Sequence, residues 1–122
     1  MRSILFVGIG GAIGSIFRYT LSLFIGRHIP IAFPFGTFLV NISGCFLIGL
    51  FYSIAAKYTG FNPEWRLFLI TGICGGYTTF STFSYDGLML FKQGSGLSFI
   101  LYVTGSVVLG LLATVAGAAV FK

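Results

Sequence analysis

The chain has 122 residues, 57 % of them hydrophobic and 7 % charged, with a net charge of +5. A soluble domain of that size leaves much of its surface in water and cannot hide so many apolar side chains, so the composition points to a membrane protein. The seven basic residues are scattered rather than clustered, which excludes a nucleic-acid interface, and two carboxylates with a single histidine form no catalytic constellation, so no enzyme is expected.

Apolar runs alternating with short polar loops predict an all-α protein of four membrane-crossing helices, at residues 4–26, 35–56, 63–91 and 97–121, in one domain covering residues 1–122. Each run exceeds the ~20 residues needed to cross the hydrocarbon core. The first is too long for a cleaved signal peptide, carries Arg18 and is followed by further spans. On it Gly10 and Gly14 form a small-xxx-small pair, and Gly11, Gly14 and Arg18 share one helical face. A short loop around Arg27-His28-Ile29-Pro30 leads to the second span, where Asn41 shares a face with Thr37 and Gly44.

After a second loop, Lys57 to Asn62, the third span has a well-formed start. Asn62 can cap it, Pro63 tolerates the first helical position, and Glu64 suits the positive end of the helix dipole. Its centre reads Gly72-Ile73-Cys74-Gly75-Gly76-Tyr77-Thr78-Thr79-Phe80-Ser81-Thr82-Phe83-Ser84. Glycines followed by hydroxyls and phenylalanines suit an uninterrupted lipid-facing helix poorly, so the third helix is expected to break near its middle. Broken backbone at membrane depth persists only where it is buried in protein or lines a watery path, and such interruptions point to ion or solute sites.

A third loop, Lys92 to Gly96, precedes a fourth span on which Ser106, Gly110, Ala113 and Gly117 line one face. Small-residue stripes let helices approach closely in lipid. Cys45 and Cys74 lie within spans, without CxxC or metal spacing, and read as buried structural thiols. No soluble domain is expected at either end, so any activity is built from the spans themselves.

Counting depth along the spans sorts the unusual residues. Arg18, Asn41, Phe80, Phe83, Asp86, Tyr102 and Ser106 all fall in the membrane half away from the N-terminus; Thr114 is the exception. One subunit would thus supply half of a polar pathway, and an antiparallel partner the mirrored half, with the broken helices meeting at the midplane. Mutual satisfaction of these groups within one bundle is the other reading. Loop charges favour neither orientation strongly: Arg2, Lys57, Arg66 and Lys122 lie on one side, Arg27 and Lys92 on the other. Insertion both ways, and hence an antiparallel homodimer, stands beside a single orientation with the more basic side in the cytoplasm.

Arg18, always charged and rich in donors, can concentrate anions in a vestibule, or it can pair with Asp86 or cap helix carbonyls. The Asn41 amide can donate to an anion or be satisfied in the core. Phe80 and Phe83, at i and i+3, either turn their positive ring edges to an anion or simply pack. The break at residues 75–79 frees carbonyls that suit a cation and begins a half-helix that suits an anion. Thr78, Thr79, Ser81, Thr82 and Ser84 add hydroxyls that either bond back to the helix or hydrate a solute.

Three segments in order, Gly10 to Tyr19, Gly36 to Gly44 and Gly75 to Ser84, resemble the small bacterial fluoride channels of the Fluc (CrcB) family, and the resemblance covers the whole chain. It implies a dual-topology antiparallel homodimer in the bacterial inner membrane, with two pores that export fluoride passively and protect the cell from its toxicity. It implies a central structural Na⁺ held by backbone carbonyls at Gly75 and Thr78. Pore residues map to Asn41, Phe80 and Phe83, a polar track to Ser81, Thr82, Tyr102, Ser106 and Thr114, and a vestibule arginine to Arg18; Asp86 is left without a role. Fluoride, membrane lipid and a second copy are the implied partners. Two rivals remain from other classes. A four-helix multidrug exporter would need a carboxylate in the first span, where this chain has Arg18, and a non-conducting membrane scaffold would leave Arg18, Asn41 and the broken span unexplained.

Overall fold

The computed structural model describes residues 1–29, 33–58 and 60–121. Pro30 of the first predicted loop and the charge of Lys122 lie outside the described residues. Among those residues the chain is all-helical, with no strand. Helix α1 spans Arg2–His28 and α2 spans Phe35–Lys57. Residues 63–92 form α3 (Pro63–Arg66), a π-helical stretch (Leu67–Cys74), α4 (Gly75–Tyr77) and α5 (Ser81–Lys92). Helix α6 spans Gly96–Val120. Helices α1, α2 and α6 are each long and apolar enough to cross a membrane; at ~1.5 Å per residue they exceed the ~30 Å hydrocarbon thickness.

Local chemistry sets the ends. Asn62 Oδ1 accepts the Glu64 N–H at 2.8 Å and Pro63 follows it, so α3 begins with one otherwise orphaned amide satisfied. Helix α5 closes where Gly94 takes φ +76°. There the Gly94 N–H bonds the Phe91 carbonyl and the Ser95 N–H the Leu90 carbonyl, both at 3.1 Å, the paired bonds of a Schellman motif. An exposed ion pair, Arg2 Nε to Glu64 Oε2 at 3.2 Å, links the starts of α1 and α3.

Small residues decide which helices pair. Helix α1 lies on the π-helical stretch and α4, and α2 lies on α6. A Cβ on Gly10 would sit 2.6 Å from the Phe68 carbonyl oxygen and 2.9 Å from the Gly72 Cα, and one on Gly14 would overlap the Ile73 carbonyl. At the other crossing, a Cβ on Gly49 would overlap the Thr114 carbonyl, and one on Gly117 the Phe46 carbonyl. Backbone therefore touches backbone at both crossings, the contact that drives helix association when lipid removes the hydrophobic term. The interior is thin: Tyr102, Val40 and Cys74 are the largest fully buried side chains, while Phe17, Tyr19, Phe80 and much of α6 are exposed.

Candidate functional site

Residues 78–80 lie outside any helix. The backbone becomes extended at Thr78 (φ −84°, ψ 155°) and returns to helical angles at Phe80 (φ −88°, ψ −35°). Amides exposed by such a departure need partners in a low-dielectric environment. Asn41, on α2, provides them: its Oδ1 accepts the Thr79 N–H at 2.8 Å and its Nδ2 donates to the Thr79 carbonyl at 3.0 Å. The side-chain amide acts here as a substitute strand partner.

Further side chains fasten the same turn. The Thr79 hydroxyl accepts the Thr82 N–H at 3.2 Å, starting α5, and lies 3.3 Å from Ser81 Oγ. Arg18 Nε donates to the Gly76 carbonyl at 3.1 Å, so the α1 guanidinium caps the helix end just before the extended residues. Thr78 turns its hydroxyl back to the Cys74 carbonyl at 2.9 Å, and Tyr77 Oη shares a 2.8 Å hydrogen bond with Ser43 Oγ of α2.

Two hollows flank Thr79. One, of about 320 Å³, is lined by Asn41, Gly44, Cys45, Ile48, Thr78, Thr79, Phe80, Phe83, Ser106 and Val107. Ser106 Oγ is buried there without a hydrogen-bond partner among the described residues. The other, about 290 Å³, is lined by Ser15, Arg18, Tyr19, Ser22, Thr37, Thr79 and Thr82. The first is aromatic and weakly polar; the second holds the guanidinium and five serine or threonine hydroxyls besides the tyrosine. Phe80 and Phe83 have ring centroids 5.8 Å apart, tilted by 46°, and Phe80 is 77 % exposed on the single chain.

Other expected site residues sit around these hollows at different distances. Tyr102 is fully buried, its ring 5.1 Å from Phe83 and edge-on to Phe33 at 5.5 Å, and its hydroxyl donates to Asp86 Oδ2 at 3.4 Å. That bond gives Asp86 a partner. Ser81 is exposed beside Thr79, and Thr82 lines the arginine hollow. Thr114 stands apart, at the α2–α6 crossing, with its hydroxyl bonded to the Gly110 carbonyl at 3.0 Å. Gly75 is exposed, and a Cβ there would meet only the Ile70 carbonyl oxygen, at 3.8 Å. Thr79, which sequence reasoning left among a run of hydroxyls, fastens this turn through its amide and its hydroxyl. Its signal was the spacing to Thr82, a threonine hydroxyl three residues ahead of a helical amide.

Residues 5–118 match the family described as CrcB-like protein, Camphor Resistance (CrcB). The chain belongs to the CrcB family. A relative from Flavobacterium psychrophilum, named fluoride-specific ion channel FluC, is 43 % identical over 122 residues, covering 100 % of this chain and 98 % of the relative. Relatives of the same name from Phocaeicola vulgatus and Rhizobium meliloti are 49 % and 46 % identical, covering 96 % and 100 % of this chain and 96 % and 98 % of theirs. These CrcB proteins are bacterial and bear the names of ion channels, not enzymes. With its apolar helices, this CrcB chain is a multi-pass membrane protein.

Proposed function

We propose that the chain is a fluoride-selective channel through which fluoride leaves the cell passively, protecting it from fluoride toxicity. The observation that carries the proposal is the full-length match to relatives named for fluoride conduction. It is joined by a hollow that sets the Asn41 amide, the Ser106 hydroxyl and the Phe80 and Phe83 rings around one space. Fluoride is small and strongly hydrated, so a narrowing path must replace water with donors while binding weakly enough for exit. Arg18 attracts the anion: Nε is engaged on Gly76, and its terminal nitrogens remain to face the hydroxyl-lined hollow. Asn41 keeps one Nδ2 hydrogen beyond its bond to Thr79, and Ser106 keeps its hydroxyl free. Phe80 and Phe83 contribute ring edges, positive enough to replace water without trapping the ion.

In this reading residues 63–92 cross the membrane as a third span broken at residues 78–80. Two chains assemble antiparallel in the inner membrane, each completing a pathway with the other, so that the dimer carries two pores. The exposure of Gly75, Phe80 and Ser81 on the single chain supports a second copy covering them. The donor set fits a central sodium ion as well. In a continuous helix the Gly75 carbonyl would accept from the Thr79 N–H and the Thr78 carbonyl from the Thr82 N–H; both amides are engaged elsewhere. Uncompensated backbone oxygens are hard ligands of the kind that hold Na⁺ at broken membrane helices. Such an ion would join the subunits and offset anion repulsion without being transported.

The test is efflux from liposomes holding the purified protein, with valinomycin carrying K⁺ and chloride as the paired control. Rapid fluoride release without chloride release is expected; no release of either ion from a folded dimer in Na⁺ would reject the channel reading.

A further inference from the structure

We infer that Thr79 is the positioning residue that opens the cation seat, acting with Asn41 on one carbonyl oxygen and through its own hydroxyl on the other. The inference rests on the sodium reading above and assigns the residues that would create that site. The two carbonyls, of Gly75 and Thr78, are separated by two residues whose own oxygens are not part of the seat. Each is freed by a different bond, and both bonds end on Thr79. Asn41 Oδ1 draws the Thr79 N–H away from the Gly75 carbonyl at 2.8 Å. Thr79 Oγ1 draws the Thr82 N–H away from the Thr78 carbonyl at 3.2 Å. The return bond from Asn41 Nδ2 to the Thr79 carbonyl, at 3.0 Å, fixes which end of the amide faces the N–H. Between these two oxygens, the Gly76 carbonyl is taken by Arg18 Nε at 3.1 Å. Side chains from α1 and α2, with Thr79, thereby select which oxygens of the turn are left to a cation.

The arrangement has a coupling built into it. Asn41 and Thr79 also line the hollow that holds Phe80 and Phe83, so the atoms that open the seat border the anion path. Occupancy of either site then biases the other through one shared pair of hydrogen bonds, and such coupling is reciprocal. A plain helix cap at Thr79 or a plain anion donor at Asn41 would show no link to sodium.

The discriminating readout is the melting temperature of the purified dimer, titrated with Na⁺ against K⁺ at constant ionic strength, which requires no conduction. Thr79→Val removes Oγ1 and Asn41→Leu removes Oδ1, each at similar volume. Both are expected to raise the sodium midpoint by about tenfold or more, a loss of ~1.4 kcal/mol per decade. Thr79→Ser keeps the hydroxyl and is expected to match the parent within about threefold. Asn41→Asp keeps an acceptor for the Thr79 N–H and adds negative charge, so its midpoint stays at or below the parent's even though the acceptor stops fluoride efflux. If either Val or Leu variant fails to give a dimer, Thr79→Ala and Asn41→Ala delete the same atoms. Parent-like sodium midpoints in the Thr79→Val and Asn41→Leu proteins would overturn the inference while leaving the sodium ion in place. A parent dimer whose melting does not distinguish Na⁺ from K⁺ would instead remove the sodium reading and this assignment with it.

Discussion

Gly44 offers the sharpest single test of the turn at Thr78. A Cβ on Gly44 would overlap Thr78 Cγ2 and come within 3.1 Å of Tyr77 Cδ2. Neither neighbour yields freely. Turning Thr78 to another rotamer breaks its 2.9 Å bond to the Cys74 carbonyl, worth ~1 kcal/mol. The Tyr77 ring is buried and tied through its hydroxyl to Ser43 at 2.8 Å. Overpacking at such a site costs ~1–3 kcal/mol, and the strain falls on Thr78, whose carbonyl is one of the two proposed as sodium ligands. If the conducting arrangement bears that strain, Gly44→Ala lowers fluoride efflux by roughly tenfold to a hundredfold, at ~1.4 kcal/mol per decade. The companion change is Thr78→Ser, which deletes the methyl that the new Cβ would meet and keeps the hydroxyl on Cys74. The double variant is therefore expected to recover most of the lost flux, with a coupling energy of ~1 kcal/mol or more. Liposome efflux of the parent, both single variants and the double variant gives the cycle. Unchanged flux in Gly44→Ala, or a double variant no better than the single, would refute the reasoning.

Phe80→Ile and Phe83→Ile are expected to cut fluoride efflux with the dimer intact, because an aliphatic side chain offers no positive edge; parent-like flux would count against the pore-lining role. Gly117→Ala, which presses a methyl into the Phe46 carbonyl, should destabilise the fold by ~1–3 kcal/mol. Gly8→Ala has nothing within 4 Å and should gain up to ~1 kcal/mol from helix propensity; thermal melting of the two variants side by side separates packing from propensity. Arg18→Gln should slow fluoride entry on the order of tenfold at low ionic strength, with the deficit shrinking as salt is raised. A deficit independent of salt would place the role of Arg18 in capping Gly76 alone.

The long helices were legible because their signal is local. The expected runs at 35–56 and 97–121 lie within a residue or two of Phe35–Lys57 and Gly96–Val120, since each run ends where polar residues meet a loop. The cap at Asn62 was legible for the same reason, its acceptor and donor lying two residues apart. Small-residue faces marked Gly10, Gly14, Gly110 and Gly117 as contact points, and all four are buried. Their partners were not readable: nothing near Gly14 names Ile73, and Gly49, which meets Thr114, carries no mark of its own. The π-helical turns at Leu67–Cys74 likewise leave no periodic trace in an octet whose one polar side chain is Thr71. At the site, residue types pointed to Arg18 and Asn41, but their hydrogen bonds reach 58 and 38 residues along the chain. Which amide each oxygen accepts is a property of three-dimensional placement, and so only the spacing to Thr82 set Thr79 apart from four other hydroxyls.

The two glycine crossings also govern how the chain comes together after synthesis. Helix α1 is completed by residues 68–77 and α2 by α6, so each pairing passes over a neighbour in the sequence. A ribosome delivering these helices one by one into a bilayer therefore leaves α1 and α2 largely without their mates for a time. The glycine face of α2 stays in lipid until α6 has been made. Closing the α2–α6 seam is consequently an event of the finished chain rather than of its stepwise insertion, and a chain interrupted before α6 has no means of closing it.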